Sequence, residues 1–134
     1  MTCEGPCEEE LLIRDPRLAE AIQLFNSGQW YACHDHFEEL WHETGGPMRP
    51  VLQGILQVAV AHLHLERGNL RGATILLGEG LGRLHASPTR ALGLDLQGTQ
   101  TEVRRLLLAL QAGEDPSDLP PPRLLSATTR SQDP

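Results

Sequence analysis

An all-α bundle of about five helices is the fold this sequence predicts, on three observations. Apolar residues recur at helical spacing through most of the chain. The breaks between those runs carry helix start and stop residues, at Asp15-Pro16, Gly28, Gly45-Gly46-Pro47, Gly68-Asn69 and Gly113. At 134 residues the chain fits one domain, long enough to bury roughly two-thirds of its unfolded surface around a single core.

Residues 1–15 read as an acidic segment, 16–113 as the bundle and 114–134 as a proline-rich tail. Asp15 caps and Pro16 opens a helix over 16–27, with Leu18, Ala21, Ile22 and Phe25 on its apolar stripe. A second helix over 29–43 puts Trp30, Cys33, Phe37, Leu40 and Trp41 on one face and Asp35, Glu39, His42 and Glu43 on the other. The stretch 51–67 is apolar almost all the way round, the pattern of a central helix packed on several sides. A fourth helix over 69–85 carries Leu70, Ala73, Leu77, Leu81 and Leu84 on one stripe. Its interior Gly72, Gly78, Gly80 and Gly82 each cost up to ~1 kcal/mol against alanine, so they point to close approach by a neighbouring helix. Val103, Leu106, Leu107 and Leu110 mark a last helix over 100–112. In the tail, Pro120-Pro121-Pro122-Arg123-Leu124-Leu125 reads as a few residues draped over the bundle through Leu124 and Leu125, followed by a frayed end, in preference to a polyproline motif for a partner.

The joints at Phe25-Asn26-Ser27-Gly28-Gln29-Trp30-Tyr31-Ala32 and Leu65-Glu66-Arg67-Gly68-Asn69-Leu70-Arg71-Gly72 match in their large apolar residue, their turn glycine and the small residue four beyond it. Tetratricopeptide-like helical hairpins are therefore the nearest alternative architecture, although the spacing here exceeds their repeat of roughly 34 residues. That architecture would carry a peptide-binding adaptor.

Composition excludes several functions. Net charge is −7, and the basic residues are scattered arginines, so nucleic acid and anionic membrane surfaces are not expected partners. No apolar run approaches the ~20 residues needed to span a bilayer, and the acidic start lacks the form of a signal peptide, so a cytoplasmic location is expected. Three cysteines, Cys3, Cys7 and Cys33, suit a reducing compartment; Cys3 and Cys7 read as incidental thiols on an untethered tail. The chain contains no lysine, which removes Schiff-base chemistry, the Walker A lysine and the Ser-x-x-Lys nucleophile. Cys33 or an activated water remains as nucleophile, and Cys33, about 100° round the helix from His34, reads as a small core residue.

His34 and Glu38 lie one helical turn apart in the aromatic stretch Trp30 to Trp41, where desolvating an imidazole and a carboxylate is costly unless partners offset it. On the central helix Gln53, Gln57 and His64 form a narrow polar lane. The economical expectation is that the two helices bring His34 and Glu38 against Gln57 and His64 in one partly buried polar pocket. Three readings of that set stay open: a hydrogen-bond network that fixes helix register, a pocket for a small ligand, and a divalent metal site for Zn or Fe with His34, Glu38 and His64 as ligands. In the last, a metal-bound hydroxide would serve a hydrolase, with Glu39 as general base. His62 and Glu66 read as an ordinary i, i+4 pair, and Asp35, Glu39 and Glu43 as a solvated acidic lane.

Phe25-Asn26-Ser27-Gly28, then His34-Asp35-His36-Phe37-Glu38-Glu39-Leu40-Trp41, then Gly54-Ile55-Leu56-Gln57 and His64-Leu65-Glu66-Arg67-Gly68-Asn69-Leu70-Arg71-Gly72-Ala73 together resemble the bacterial and archaeal domain of unknown function 309 family, over about 16–84. The resemblance implies a compact up-and-down helical bundle. It also implies the same polar positions, His34, Glu38, Gln57 and His64, with Glu39 and Trp41 beside them, and no established activity. Cys33 stands where the family has alanine, and Asp35 where glutamate is frequent. The leading expectation is a small binding or scaffold domain for a small molecule or a protein partner; a metal-dependent hydrolase and a peptide adaptor are the alternatives.

Overall fold

The computed structural model describes residues 7–127. Cys3 and the end of the tail, about which the sequence raised expectations, lie outside the described residues. Among the described residues six α-helices run in chain order: α1 Glu8–Arg14, α2 Pro16–Asn26, α3 Trp30–Glu43, α4 Arg49–Glu66, α5 Leu70–His85 and α6 Leu96–Gln111. A two-stranded antiparallel hairpin, β1 Arg90–Ala91 and β2 Leu94–Asp95, stands between α5 and α6. Each helix from α2 to α5 packs on the next in sequence, giving the expected all-α bundle, and α1 leans on α2.

α4 is the central helix. It is flanked by α3 and α5 and buries Val51, Leu52, Ile55, Val58, Ala59 and Ala61. Phe25 of α2, Phe37 and Leu40 of α3, Leu77 and Leu84 of α5 and Val103 of α6 join them in one core. Cys33 belongs to that core and is fully buried, which pushes its thiol up to about 12 and leaves it inert as a nucleophile at neutral pH.

The two matching joints fold alike. Gly28 and Gly68 both have φ of 76°, a conformation glycine takes without steric penalty. In each joint the next residue folds back: the Gln29 N–H donates to the Leu24 carbonyl at 3.0 Å, and the Asn69 N–H to the His64 carbonyl at 2.8 Å. The repeat is thus one helix–turn–helix geometry used twice.

Three features depart from the sequence reading. The acidic segment contains α1, and Cys7 is the exposed residue that precedes it rather than part of an untethered tail. α1 is held by its own carboxylates: Glu8 accepts from the N–H groups of Gly46 (2.8 Å) and Met48 (2.7 Å), and Glu9 from that of Leu92 (2.7 Å). The loop after α5 forms the hairpin, with Leu92 and Gly93 both at positive φ as in a type I′ turn, and Leu92 buried. α6 begins at Leu96 because the Asp95 carboxylate accepts from the Gly98 N–H.

The tail drapes over the bundle as expected, though through one leucine only. Leu124 is 2% exposed and Leu125 48%. The Asn26 side chain clasps the Leu124 backbone from both sides, donating to its carbonyl at 2.9 Å and accepting from its N–H at 2.7 Å. Close helix approach likewise explains only some glycines of α5. A Cβ on Gly80 would stand 3.0 Å from the Gly54 carbonyl oxygen of α4, and one on Gly72 would meet the side chains of Asn69 and His64; Gly78 and Gly82 face open space.

Candidate functional site

α3 presents two stripes. Trp30, Cys33, Phe37 and Leu40 enter the core, and His34, Glu38 and Trp41, spaced i, i+4, i+7, form a half-buried strip beside them. His34 Nε2 lies 3.8 Å from Glu38 Oε2, and the edge of the Tyr31 ring is against the imidazole. His34 Nδ1 is 3.2 Å from Asp35 Oδ1, but at an angle that makes no hydrogen bond, so this sealed nitrogen has no hydrogen-bond partner among the described residues. The Trp41 indole N–H is likewise sealed and unpartnered. The Arg49 guanidinium lies 4.1 Å from the Trp41 ring centroid, held there by hydrogen bonds from Nη1 to the Trp41 and Thr44 carbonyls.

The other predicted members turn elsewhere. Gln57 bridges α4 to α5, donating from Nε2 to Glu79 (3.1 Å) and accepting at Oε1 from Arg83 Nε (3.0 Å). His64 Nδ1 accepts from Asn69 Nδ2 at 2.9 Å and so orients the Asn69 carbonyl oxygen that caps α5 at the Gly72 N–H. Among the described residues no hydrogen bond or ion pair joins His34 or Glu38 to Gln57 or His64, so the four do not form one hydrogen-bonded network. The reason is the rotation of α4. Its contact with the start of α3 is made by His62, and Gln57 and His64 lie about 140–160° round the helix from that residue. Among the described residues no three His, Cys, Asp or Glu side chains form a group that could hold a metal ion.

Glu39 faces α2. Arg17 draws Glu39 (3.2 Å), Glu43 (2.8 Å) and Asp15 (2.8 Å) into one cluster, so Glu39 and Glu43 of the acidic lane are paired rather than merely solvated. Hydrogen bonding to Arg17 holds the carboxyls of Asp15 and Glu43 below their ordinary range. A carboxyl lowered in the folded state adds stability above the ordinary carboxylate range and loses it as pH falls through the folded pKa. Wild type is therefore expected to lose more stability than Arg17→Met between about pH 7 and about pH 3, read from urea midpoints; equal losses would dismiss the cluster as an acid-sensitive element.

His62 is the residue that sequence reasoning misplaced. It makes no ion pair with Glu66; it is 6% exposed and its ring stacks on Trp30, with centroids 4.1 Å apart and planes at 22°. Its Nδ1 bonds the Val58 carbonyl at 3.0 Å, and burial pushes the imidazole below its ordinary range against the opposing effect of that bond. The Phe25 ring meets the Trp30 ring edge-on at 5.1 Å. The signal was present in the spacing, because Val51, Ile55, Val58 and His62 follow i, i+4, i+7, i+11 along the buried arc of α4. Beside the stack opens a cleft of ≈ 630 Å³ between the start of α3, the end of α4, the start of α5, α6 and the turn that follows α6.

Residues 18–76, which carry the joints, the α3 strip and most of α4, match the model of the family described as Domain of unknown function (DUF309). Over that span, a little under half of the chain, the sequence is similar to the DUF309 family. The DUF309 match includes His34, Glu38, Glu39, Trp41, Gln57 and His64, and also Trp30 and His62 of the cleft. The hairpin, α6 and the tail lie beyond the DUF309 match. No curated protein matches this sequence. Among the described residues no helix is long and apolar enough to cross a membrane.

Proposed function

We propose that this protein is a binding domain whose ligand meets the half-buried strip His34, Glu38 and Trp41 of α3. One observation carries the reading. His34 Nδ1 and Trp41 Nε1 are the sealed side-chain polar atoms without a partner among the described residues, and both stand on that strip. Leaving such an atom unpaired costs about 1–3 kcal/mol, a penalty that a ligand's hydrogen bonds remove once the side chains sealing these atoms turn aside to admit it. The indole can only donate, so the ligand offers an acceptor there, such as a carbonyl or carboxylate oxygen, and the Arg49 guanidinium stacked on the same ring favours an electron-rich group. The hydrolase reading, with Zn or Fe held by His34, Glu38 and His64, draws less support, because His64 Nδ1 is already engaged by Asn69.

The strip makes opposite demands on stability and binding, and that separates a site from packing. His34→Leu is expected to raise stability by about 1 kcal/mol, since it removes the unpaired nitrogen and keeps a side chain of suitable size. Urea unfolding measures it, and a clear loss of stability would mean that His34 is structural. In the same variant, small carboxylates and amides that shift the Trp41 indole N–H signal in a ¹⁵N spectrum of wild type should cease to do so.

A further inference from the structure

We propose that the cleft beside the Trp30–His62 stack is a second binding site, independent of the α3 strip, and that it takes a small organic ammonium carried on an apolar body. Its volume of ≈ 630 Å³ is that of a small-molecule site, and Trp30, Leu65, Leu70 and Leu106 give it apolar walls. The polar groups on it decide the ligand's chemistry. The Val58 carbonyl can only accept, so His62 Nδ1 carries the ring proton, and Nε2 presents a lone pair. His62 is more than nine-tenths buried, its Nε2 has no hydrogen bond among the described residues, and this nitrogen is not among the atoms sealed from the surface. It is therefore an acceptor offered to the cleft that His62 lines.

Three carboxylate residues line the same cleft, Glu66 at the end of α4 and Glu114 and Asp115 in the turn after α6, and among the described residues no arginine lines it. The donors in the turn are already turned inward, because the Ser117 N–H and hydroxyl both donate to Asp115 Oδ1, at 3.0 and 2.7 Å. A site of acceptors and negative charge with apolar walls selects a ligand that donates hydrogen bonds, carries positive charge and buries a hydrocarbon body. It rejects carboxylates and phosphates by repulsion.

The test uses benzylammonium, benzyl alcohol and benzoate as matched probes, titrated into the full chain while the His62 ring nitrogens and the Trp30 indole N–H are followed by ¹⁵N NMR. Benzylammonium is expected to bind and move His62 Nε2, with benzyl alcohol weaker by about tenfold or more and benzoate without effect. His62→Phe keeps the stack and removes the acceptor, and should weaken benzylammonium by about tenfold to a hundredfold. The double variant Glu114→Gln/Asp115→Asn, in an exposed turn that does not depend on the core, should weaken it also and flatten its salt dependence. If His62→Phe fails to fold, that double variant decides. Failure of benzylammonium to bind, equal binding of the alcohol or the benzoate, or unchanged affinity in the turn variant overturns the proposal. None of these outcomes touches the α3 strip, whose reporter is Trp41.

Discussion

Trp30→Ala is expected to lower the unfolding free energy by about 3–5 kcal/mol, a large share of the roughly 5–15 kcal/mol by which a domain of this size is stable. Trp30 is the first residue of α3, set in place by the Gly28 joint, and it ties three helices at one point. Its edge receives Phe25 of α2, its face stacks on His62 of α4, and it is 6% exposed. Truncation removes a large apolar area and both ring contacts. Because the ring also lines the cleft, the space left is continuous with solvent and can hydrate, which places the loss toward the lower end of that range. Two measurements check it. Urea unfolding followed by circular dichroism should show the loss, while Tyr31→Ala, one residue on and exposed, stays within about 0.5 kcal/mol of wild type. The His62 imidazole, no longer covered, should titrate closer to its ordinary range, because burial is the leading cause of its depression. A Trp30→Ala variant as stable as Tyr31→Ala would remove the stack from any structural account.

Which parts of this were legible in the sequence follows from where the determining contacts lie. α2 to α5 are fixed by local signals, namely the Asp15-Pro16 start, the Gly28 and Gly68 joints and the apolar spacing between them, and these helices end within about two residues of the spacing-based limits. α1 was missed because its determinants are distant: Glu8 and Glu9 read as solvated charge until Gly46, Met48 and Leu92 arrive to donate to them. The hairpin was missed because Leu92 is a poor residue for positive φ, and burial of its side chain in the core overrides that local preference. The first turns of α6 were missed because Thr99 and Gln100 are buried polar residues, bonded to the carbonyls of Arg123 and Leu84, and they interrupt the apolar period. For the site, His34 and Glu38 one turn apart on α3 follow from helical spacing, whereas Trp41, which that spacing puts on the core face, lies half-buried beside them. The pairing of this strip with α4 does not follow, since that depends on a rotation about the α4 axis that only tertiary packing sets, and the rotation presents His62 to α3 instead of Gln57 and His64.

Gly80→Leu and the pair Gly78→Ala and Gly82→Ala are expected to change stability in opposite directions, although all three positions lie on one short stretch of α5. Gly80 faces α4 where the helices are closest. An added Cβ would stand 3.0 Å from the Gly54 carbonyl oxygen and 3.1 Å from Val58 Cγ2, and across the contact a Cβ on Gly54 would press on Leu84 at 3.1 Å. The obstacle at Gly80 is backbone, which cannot rotate aside, so a leucine must drive the two helices apart and loosen the core between them. Overpacking of this kind typically costs about 1–3 kcal/mol, and the backbone obstacle places Gly80→Leu at about 3 kcal/mol or above. Gly78 and Gly82, with nothing within reach of a new Cβ, meet no such obstacle. There alanine recovers the helix propensity that glycine forgoes, and each substitution should raise stability by up to about 1 kcal/mol. Thermal or urea unfolding of the three variants reads the sign directly. A loss at Gly80 with gains at Gly78 and Gly82 means that one glycine of α5 is retained for helix contact and that its neighbours are retained for reasons other than stability. Gains at all three would mean that α4 and α5 do not approach as closely as the Gly54–Gly80 contact requires.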